Sequence, residues 1–560
     1  MASFLSRERM SPVDTAWLRM DSSANLMMIV GVMVLQERVD VERLIHLIET
    51  RLLTYRRFRS RCVQDATGAW WEEAGAVDMD YHLVRTGLPG HGTKEDLEAL
   101  VARLAAQPLD PERPLWQMHL VENYHGGTAL ITRIHHCIAD GIALIGVLMS
   151  MTTTSPDADP PARHERARGA RRGAPWDFVL RPVTRFAVGT IKGAADLAVK
   201  ALQGYQKVLA DSSVAGSAAS EVVRAAMQVS KDAAALALMD NDTATSLKGE
   251  PTGTKAVAWC EPLPLADVKG VGKSLGCSVN DVLLSCVAGA IRGYLVERGE
   301  SLERAELRAM VPVNLRGASS GGGEDLGNKF GLVPVLLPIG IEHPIERVLE
   351  VKRRMGELKG GYTALLAMGL LGVAGVVPGF VQRQMLDIFA RKTTAVMTNV
   401  PGPQHPLYLA GAHVTQNMFW VPQSGNVGVG VSILSYDGGV QFGLITDKAL
   451  CSAPQKIIDR FAPEFENLVY ALLLAPWDEA LDPEIAEKTL SATETAAHVV
   501  ANLRERGERK APNGQAPTIA ELNGQGTRPS AGNGAAAPAP LPPPGLRKRR
   551  SAFGTARRGS

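Results

Sequence analysis

The chain has 560 residues, 45% of them hydrophobic and 21% charged, a balance typical of soluble globular proteins that excludes wholesale disorder. Sixty Lys and Arg against 58 Asp and Glu leave a net charge of +2, which argues against a dedicated nucleic-acid binder. The six cysteines (Cys62, Cys137, Cys260, Cys277, Cys286, Cys451) stand far apart, which removes a disulfide scaffold or zinc ribbon and fits a reducing compartment. The length predicts roughly two to four domains, and the first residues lack the apolar core of a cleaved secretion signal.

In chain order, 1–154 alternates strands and helices. Met28–Gln36 is β-rich, and a helix follows from Asp40 as N-cap, with Leu44, Ile45, Ile48 and Leu52 at helical spacing. Thr93 caps a second helix with Leu97, Leu100, Val101 and Leu104 on one face. Strands are expected around Trp116–Glu122 and Thr128–His135, the latter alternating, with an apolar helix from Ile142. Residues 155–250 open with a Pro- and Arg-rich linker and continue as an Ala-rich helical connector.

Residues 251–480 repeat the mixed pattern. Val257–Pro262, Ala309–Val313, Phe330–Ile339 and Thr394–Val400 read as strands, and Ser278 caps a long helix through Leu295. Val427–Ser435 and Val440–Asp447 flank Asp437-Gly438-Gly439, a hairpin signal. A helix is expected after Ser452, a terminal helix over 481–504, and a disordered basic tail rich in Pro, Ala and Gly over 505–560. Thr363–Val381 is uncharged over 19 residues, the minimal length for a membrane span. Its four glycines and Pro378 favour a buried or interface-lying helical hairpin instead. The fold class is therefore α/β (α+β): two mixed domains, a helical connector and a loose tail.

The segment Ile134-His135-His136-Cys137-Ile138-Ala139-Asp140-Gly141 holds the one adjacent pair among twelve histidines. It ends a strand and turns into a helix, where side chains can face a ligand. A neutral imidazole titrates near pH 7 and can take a proton from a hydroxyl attacking a carbonyl. An Asp four residues later can orient the site by gripping an Arg, with Arg133 and Arg316 as candidates, or the turn backbone.

At these residues the chain resembles the CoA-dependent acyltransferase superfamily, whose active site is marked by HHxxxDG. Pro114-Leu115-Trp116, Asn280-Asp281-Val282-Leu283-Leu284, Leu326-Gly327-Asn328-Lys329-Phe330-Gly331, Thr398-Asn399-Val400-Pro401-Gly402-Pro403 and Met10-Ser11-Pro12-Val13-Asp14 are similar, in order, to blocks of the bacterial wax ester synthase/diacylglycerol acyltransferases. Met28 stands where many members have a His.

The resemblance implies two chloramphenicol-acetyltransferase-like domains with a channel between them. It implies a catalytic role for His136 as general base, with His135, Asp140 as loop holder and Gly141 as the residue permitting a sharp turn. It implies substrate-facing roles for Asn280, Asp281, Trp116 and Asn399. Read by themselves, Trp116 equally suits a core aromatic, Asn280 a helix-start support or an oxyanion donor, and Asn399 a strand-end support. Asp14 and Asp21 read as plain helix-start residues.

The expected reaction moves a fatty acyl group from acyl-CoA, as co-substrate, to diacylglycerol or a long-chain alcohol. No cofactor, metal or specific nucleic acid is expected, and a homodimer is permitted. The expected place is the cytoplasm, peripheral to the inner membrane or lipid inclusions. Two rival readings are an HHxxxDG enzyme taking its acyl group from a carrier protein and a catalytically silent lipid-binding protein.

Overall fold

The structure, a computed structural model, describes residues 7–65, 68–158, 240–314, 326–328, 330–358, 382 and 390–475. All lie in the unit Met1–Val500; the second unit, Ala501–Ser560, falls outside the described residues. So do the Thr363–Val381 stretch, the terminal helix expected over 481–504, Arg316, and most of the linker and connector.

Seven strands form the first sheet, in the order Leu83–Thr86, Trp116–Tyr124, Gly127–His135, Met28–Leu35, Ala412–Trp420, Tyr408–Leu409 and Thr152–Thr153. Neighbours are antiparallel except the first pair. The hairpin joining Trp116–Tyr124 to Gly127–His135 turns at His125 and Gly126, both at positive φ, the twist that matches flanking strands. A second sheet runs Leu263–Pro264, Gly439–Asp447, Val429–Tyr436, Ala395–Pro401, Leu307–Asn314 and Phe330–Leu337, with Lys255–Trp259 also paired to Gly439–Asp447. A small sheet joins Arg7–Arg9, Gly68–Glu73 and Ser60–Asp65.

The expected helix starts are found. Asp40, Thr93 and Ser278 each cap through their side chains, the last two in capping boxes. The helix Val279–Glu297 is long and apolar enough to cross a membrane. It is mostly buried, however, against the helices Gln455–Leu474, Pro344–Leu358 and Leu265–Ser274, which makes it a core helix.

Two departures from the sequence reading bear on the site. Gly127–His135 does not alternate: every residue is buried. Leu130 and Ile134 pack in one core with Leu144 and Val147 of the helix Gly141–Met149. Ala129 and Ile131 pack in another with Leu97, Leu100 and Val101. A strand covered on both faces loses the polar alternation of a half-exposed one. The strand Ala412–Trp420 was not anticipated. It leaves the second half of the chain and pairs with Met28–Leu35, entering after a turn at Ala410 and Gly411, both at positive φ. Polar residues His413, Thr415, Gln416 and Asn417 mask its pattern.

Candidate active site

The motif loop is built by backbone bonds at the end of Gly127–His135. His135 lies opposite Met28 in register, and its N–H donates to Leu115 O at 2.9 Å. The next residue's N–H donates to Met27 O at 2.7 Å, so His136 still follows the sheet as the chain leaves it. Ile138 N–H then returns to His135 O at 3.0 Å, closing a turn. Asp140 is the N-cap of Gly141–Met149: its extended backbone stops the turn, and Oδ1 accepts from Ala143 N at 2.9 Å. The Asp of the motif thus grips backbone, a contact worth about 1 kcal/mol to the helix.

Arg133, one of its two proposed partners, donates instead to Gln117 Oε1 at 2.8 Å and to Gln107 O. Gly141 needs a correction. It has no positive φ, and an added Cβ would meet only Phe419 Cε2, at 3.6 Å. No sharp turn demands glycine here; its lack of a side chain leaves space beside Phe419.

The two histidines have different surroundings. His135 Nδ1 accepts from Cys137 N–H at 3.1 Å, and Nε2 lies 3.3 Å from Asp21 Oδ2 without hydrogen-bond alignment. Asp21 is therefore no plain helix-start residue; its other oxygen accepts from Met27 N–H. His136 is only 3% exposed. Its ring stacks on Trp17 at 4.1 Å between centroids and 12° between planes, with Phe330 at 5.4 Å. Burial pushes its pKa down to about 4; its own carbonyl, the Asp140 charge and Asn328 oppose that push, and His135 adds to it. At neutral pH the imidazole is uncharged, with a lone pair free to take a proton.

A buried polar chain holds the loop, and the sequence reading missed it. Arg57 donates to Ile138 O at 2.8 Å and Cys137 O at 3.4 Å, and pairs with Asp14 Oδ2 at 2.9 Å. Asp14 Oδ1 accepts from Asn328 Nδ2 at 2.8 Å, and the same nitrogen donates to His136 O at 2.9 Å. Three consecutive loop carbonyls are thus taken by residues 57 and 328. Ser11 caps the helix Pro12–Arg19, which carries both Asp14 and Trp17. Asp14 and Asn328 fall within matched sequence blocks, but nothing in local spacing ties them to Arg57.

The remaining candidates separate. Trp116 is fully buried, donates its Nε1–H to Phe58 O at 2.9 Å and stacks on His82, which uses all of it in the core. Asp281 Oδ2 accepts from Ser278 N–H at 2.8 Å as half of a capping box. Asn280 and Asn399 come together across the helix start and the strand Ala395–Pro401: Asn399 Nδ2 donates to Asn280 Oδ1 at 2.7 Å. With its oxygen engaged, Asn280 has its amide N–H groups left to offer.

Beside the motif, the helix Gly141–Met149 and the first sheet line a largely apolar crevice, partly open to solvent. Ile29, Gly31, Thr132, Gly141, Leu144 and Phe419 are among its walls. It reaches Gly141 without touching the His136 ring. Among the described residues no group of three or more His, Cys, Asp or Glu could hold a metal ion.

Comparison with known proteins matches residues 10–283 to the family model described as the wax ester synthase/diacylglycerol acyltransferase catalytic domain, and 326–469 to its C-terminal domain. A chain from Mycobacterium tuberculosis H37Rv named as a diacylglycerol O-acyltransferase is 30% identical over 415 residues, covering 72% of this chain and 77% of that one. Another from the same strain, similarly named, is 28% identical over 387 residues, covering 67% and 76%. The structure of the wax ester synthase/diacylglycerol acyltransferase of Marinobacter aquaeolei VT8 aligns with a TM-score of 0.57 at 22% identity, covering 83% of this chain and all of that one.

Proposed function

From the premise that the chain belongs to the wax ester synthase/diacylglycerol acyltransferase family, we propose that His136 is the general base of its acyl transfer. The protein is an acyltransferase, moving an acyl group to diacylglycerol or an alcohol. As the acceptor hydroxyl attacks the thioester carbonyl of acyl-CoA, His136 takes its proton and the C–O bond forms. The tetrahedral intermediate then collapses, the C–S bond breaks, and the imidazolium returns the proton to the departing thiolate, giving ester and free CoA. No covalent enzyme intermediate is needed.

The observation that carries this reading is the uncharged imidazole at the strand end, held between Trp17 and Phe330, whose loop is fixed through Asp140, Arg57 and Asn328. His135 Nδ1 already accepts from Cys137 N–H, and the Asp21 carboxylate lies 3.3 Å from its Nε2, which favours His136 for the task. Asn280, steadied by Asn399, is the candidate donor to the thioester oxyanion. The crevice beside Gly141 suits an alkyl chain. Substrates this apolar favour loading at a cytoplasmic membrane or lipid-droplet surface.

The test is His136→Ala assayed with labelled acyl-CoA and diacylglycerol. Ester formation should fall by about 10²–10⁴, the usual contribution of a positioned base. Undiminished product would reject the assignment.

A further inference from the structure

Asn328 is 4% exposed, and its amide orientation is set by its neighbours. Nδ2 faces two acceptors, Asp14 Oδ1 at 2.8 Å and His136 O at 2.9 Å; a flipped amide would put an oxygen against a carboxylate and a carbonyl. Oδ1 must therefore point the other way. There it is buried with no hydrogen-bond partner, and His136 Nδ1 is buried without an aligned one, its own carbonyl being the acceptor that also favours a proton on the ring. One is an acceptor and the other can carry a proton, and the two residues are already joined through the His136 carbonyl. Buried polar atoms left unpaired call for a physical account, such as a water, an ion or a catalytic role, and these two lie on residues that share the motif loop.

We propose that Asn328 is the positioning residue for His136, its Oδ1 accepting the Nδ1 proton when the ring works as a base. The inference rests on His136 being that base. A ring with its proton on Nδ1 presents the Nε2 lone pair to the hydroxyl. When Nε2 takes the proton, both nitrogens carry hydrogen, and the charged ring needs an acceptor behind it. The contact is made as the reacting complex tightens, as catalytic hydrogen bonds commonly are.

Apolar and polar grips come from the same two segments. Trp17, three residues after Asp14, and Phe330, two after Asn328, flank the ring and keep it from rotating out of line. Behind Asn328, Arg57 neutralises Asp14 and keeps the amide turned. The titratable and charged groups around the ring are His135, which depresses its basicity, and Asp140, which raises it, with the paired Asp14 and Arg57 beyond Asn328. The Asn328 side chain is itself among the influences that raise it.

The experiment compares the full-length parent with Asn328→Ala, Asn328→Asp, His136→Ala and the double variant His136→Ala/Asn328→Ala. It measures kcat and KM for acyl-CoA across the pH range with diacylglycerol as acceptor. Asn328→Ala should lower kcat by about 10- to 100-fold, the scale of a misaligned catalytic group, with KM within about twofold. Its acid limb should move to lower pH, because an interaction favouring the protonated ring is gone. Asn328→Asp keeps the acceptor and adds negative charge, so its acid limb should move to higher pH. Its second oxygen replaces an N–H against Asp14 Oδ1 and His136 O, so Asn328→Ser, which keeps a small uncharged hydrogen-bonding side chain, is measured beside it and covers the case of a variant that does not fold. The double variant should be no slower than His136→Ala. Loss of kcat with an unmoved acid limb in both single variants, or unchanged kcat in Asn328→Ala, overturns the proposal while His136→Ala remains inactive. An active His136→Ala instead overturns the general-base reading beneath it.

Discussion

Arg57→Met removes the cation that faces a fully buried Asp14. Breaking a buried pair from one side typically costs about 3–5 kcal/mol, because the remaining charge is stranded. Arg57 is 20% exposed along its side chain, and Asp14 keeps the Asn328 amide, which places the pair term near the bottom of that range. The variant also forfeits the bond to Ile138 O, worth about 1 kcal/mol. The expected loss is therefore about 3–4 kcal/mol of unfolding free energy, read as a fall in the urea midpoint at unchanged slope. Arg57→Met/Asp14→Asn, which strands no charge, should recover at least about 1–2 kcal/mol of that loss. A single variant costing less than about 1 kcal/mol, or a double variant weaker than the sum of the two singles, would refute the reasoning that this ion pair holds the motif loop.

Acid should weaken the fold through His136. Its pKa in the folded protein is about 4 against 6.5 for the free side chain, so the unfolded chain binds the extra proton between those values. Stability from this group is whole above about pH 6.5 and falls towards pH 4 by about 3 kcal/mol; urea midpoints followed from pH 7 to pH 4.5 should drop more steeply for the parent than for His136→Gln, and equal slopes would speak against it. At Gly31 an added Cβ meets Met418 O, Phe419 Cβ and Thr132 Cβ at 3.8–4.0 Å, ordinary contact, so Gly31→Ala should fold normally. Gly31→Leu should fill part of the crevice and shift turnover towards shorter acyl or alkyl chains, measured by competition among substrates of graded length; an unchanged preference would remove the crevice from the substrate path.

Much of the fold could be read locally. The caps at Asp40, Thr93 and Ser278 need only a side-chain oxygen and the next turn's N–H groups, so they are visible in a four-residue window. The hairpin at Asp437-Gly438 is equally local, with both residues at positive φ. The motif strand was legible from its β-rich composition, and the capping role open to Asp140 from a bond to the third residue on, although the strand's pairing and its closing histidines rest on bonds to Leu115 and Met27.

Tertiary structure alone decided what surrounds the ring. Residues 14, 57 and 328 meet through bonds spanning 43 and 314 positions, and no periodicity encodes a contact of that separation. The same holds for Ala412–Trp420, whose polar residues hide a strand that only its pairing with Met28–Leu35 reveals, and for Trp116, whose place in the core depends on Phe58 and His82. Sequence determines chemistry where partners are neighbours along the chain; where burial and pairing come from distant segments, the environment that makes His136 neutral and holds it still exists only once the chain has folded.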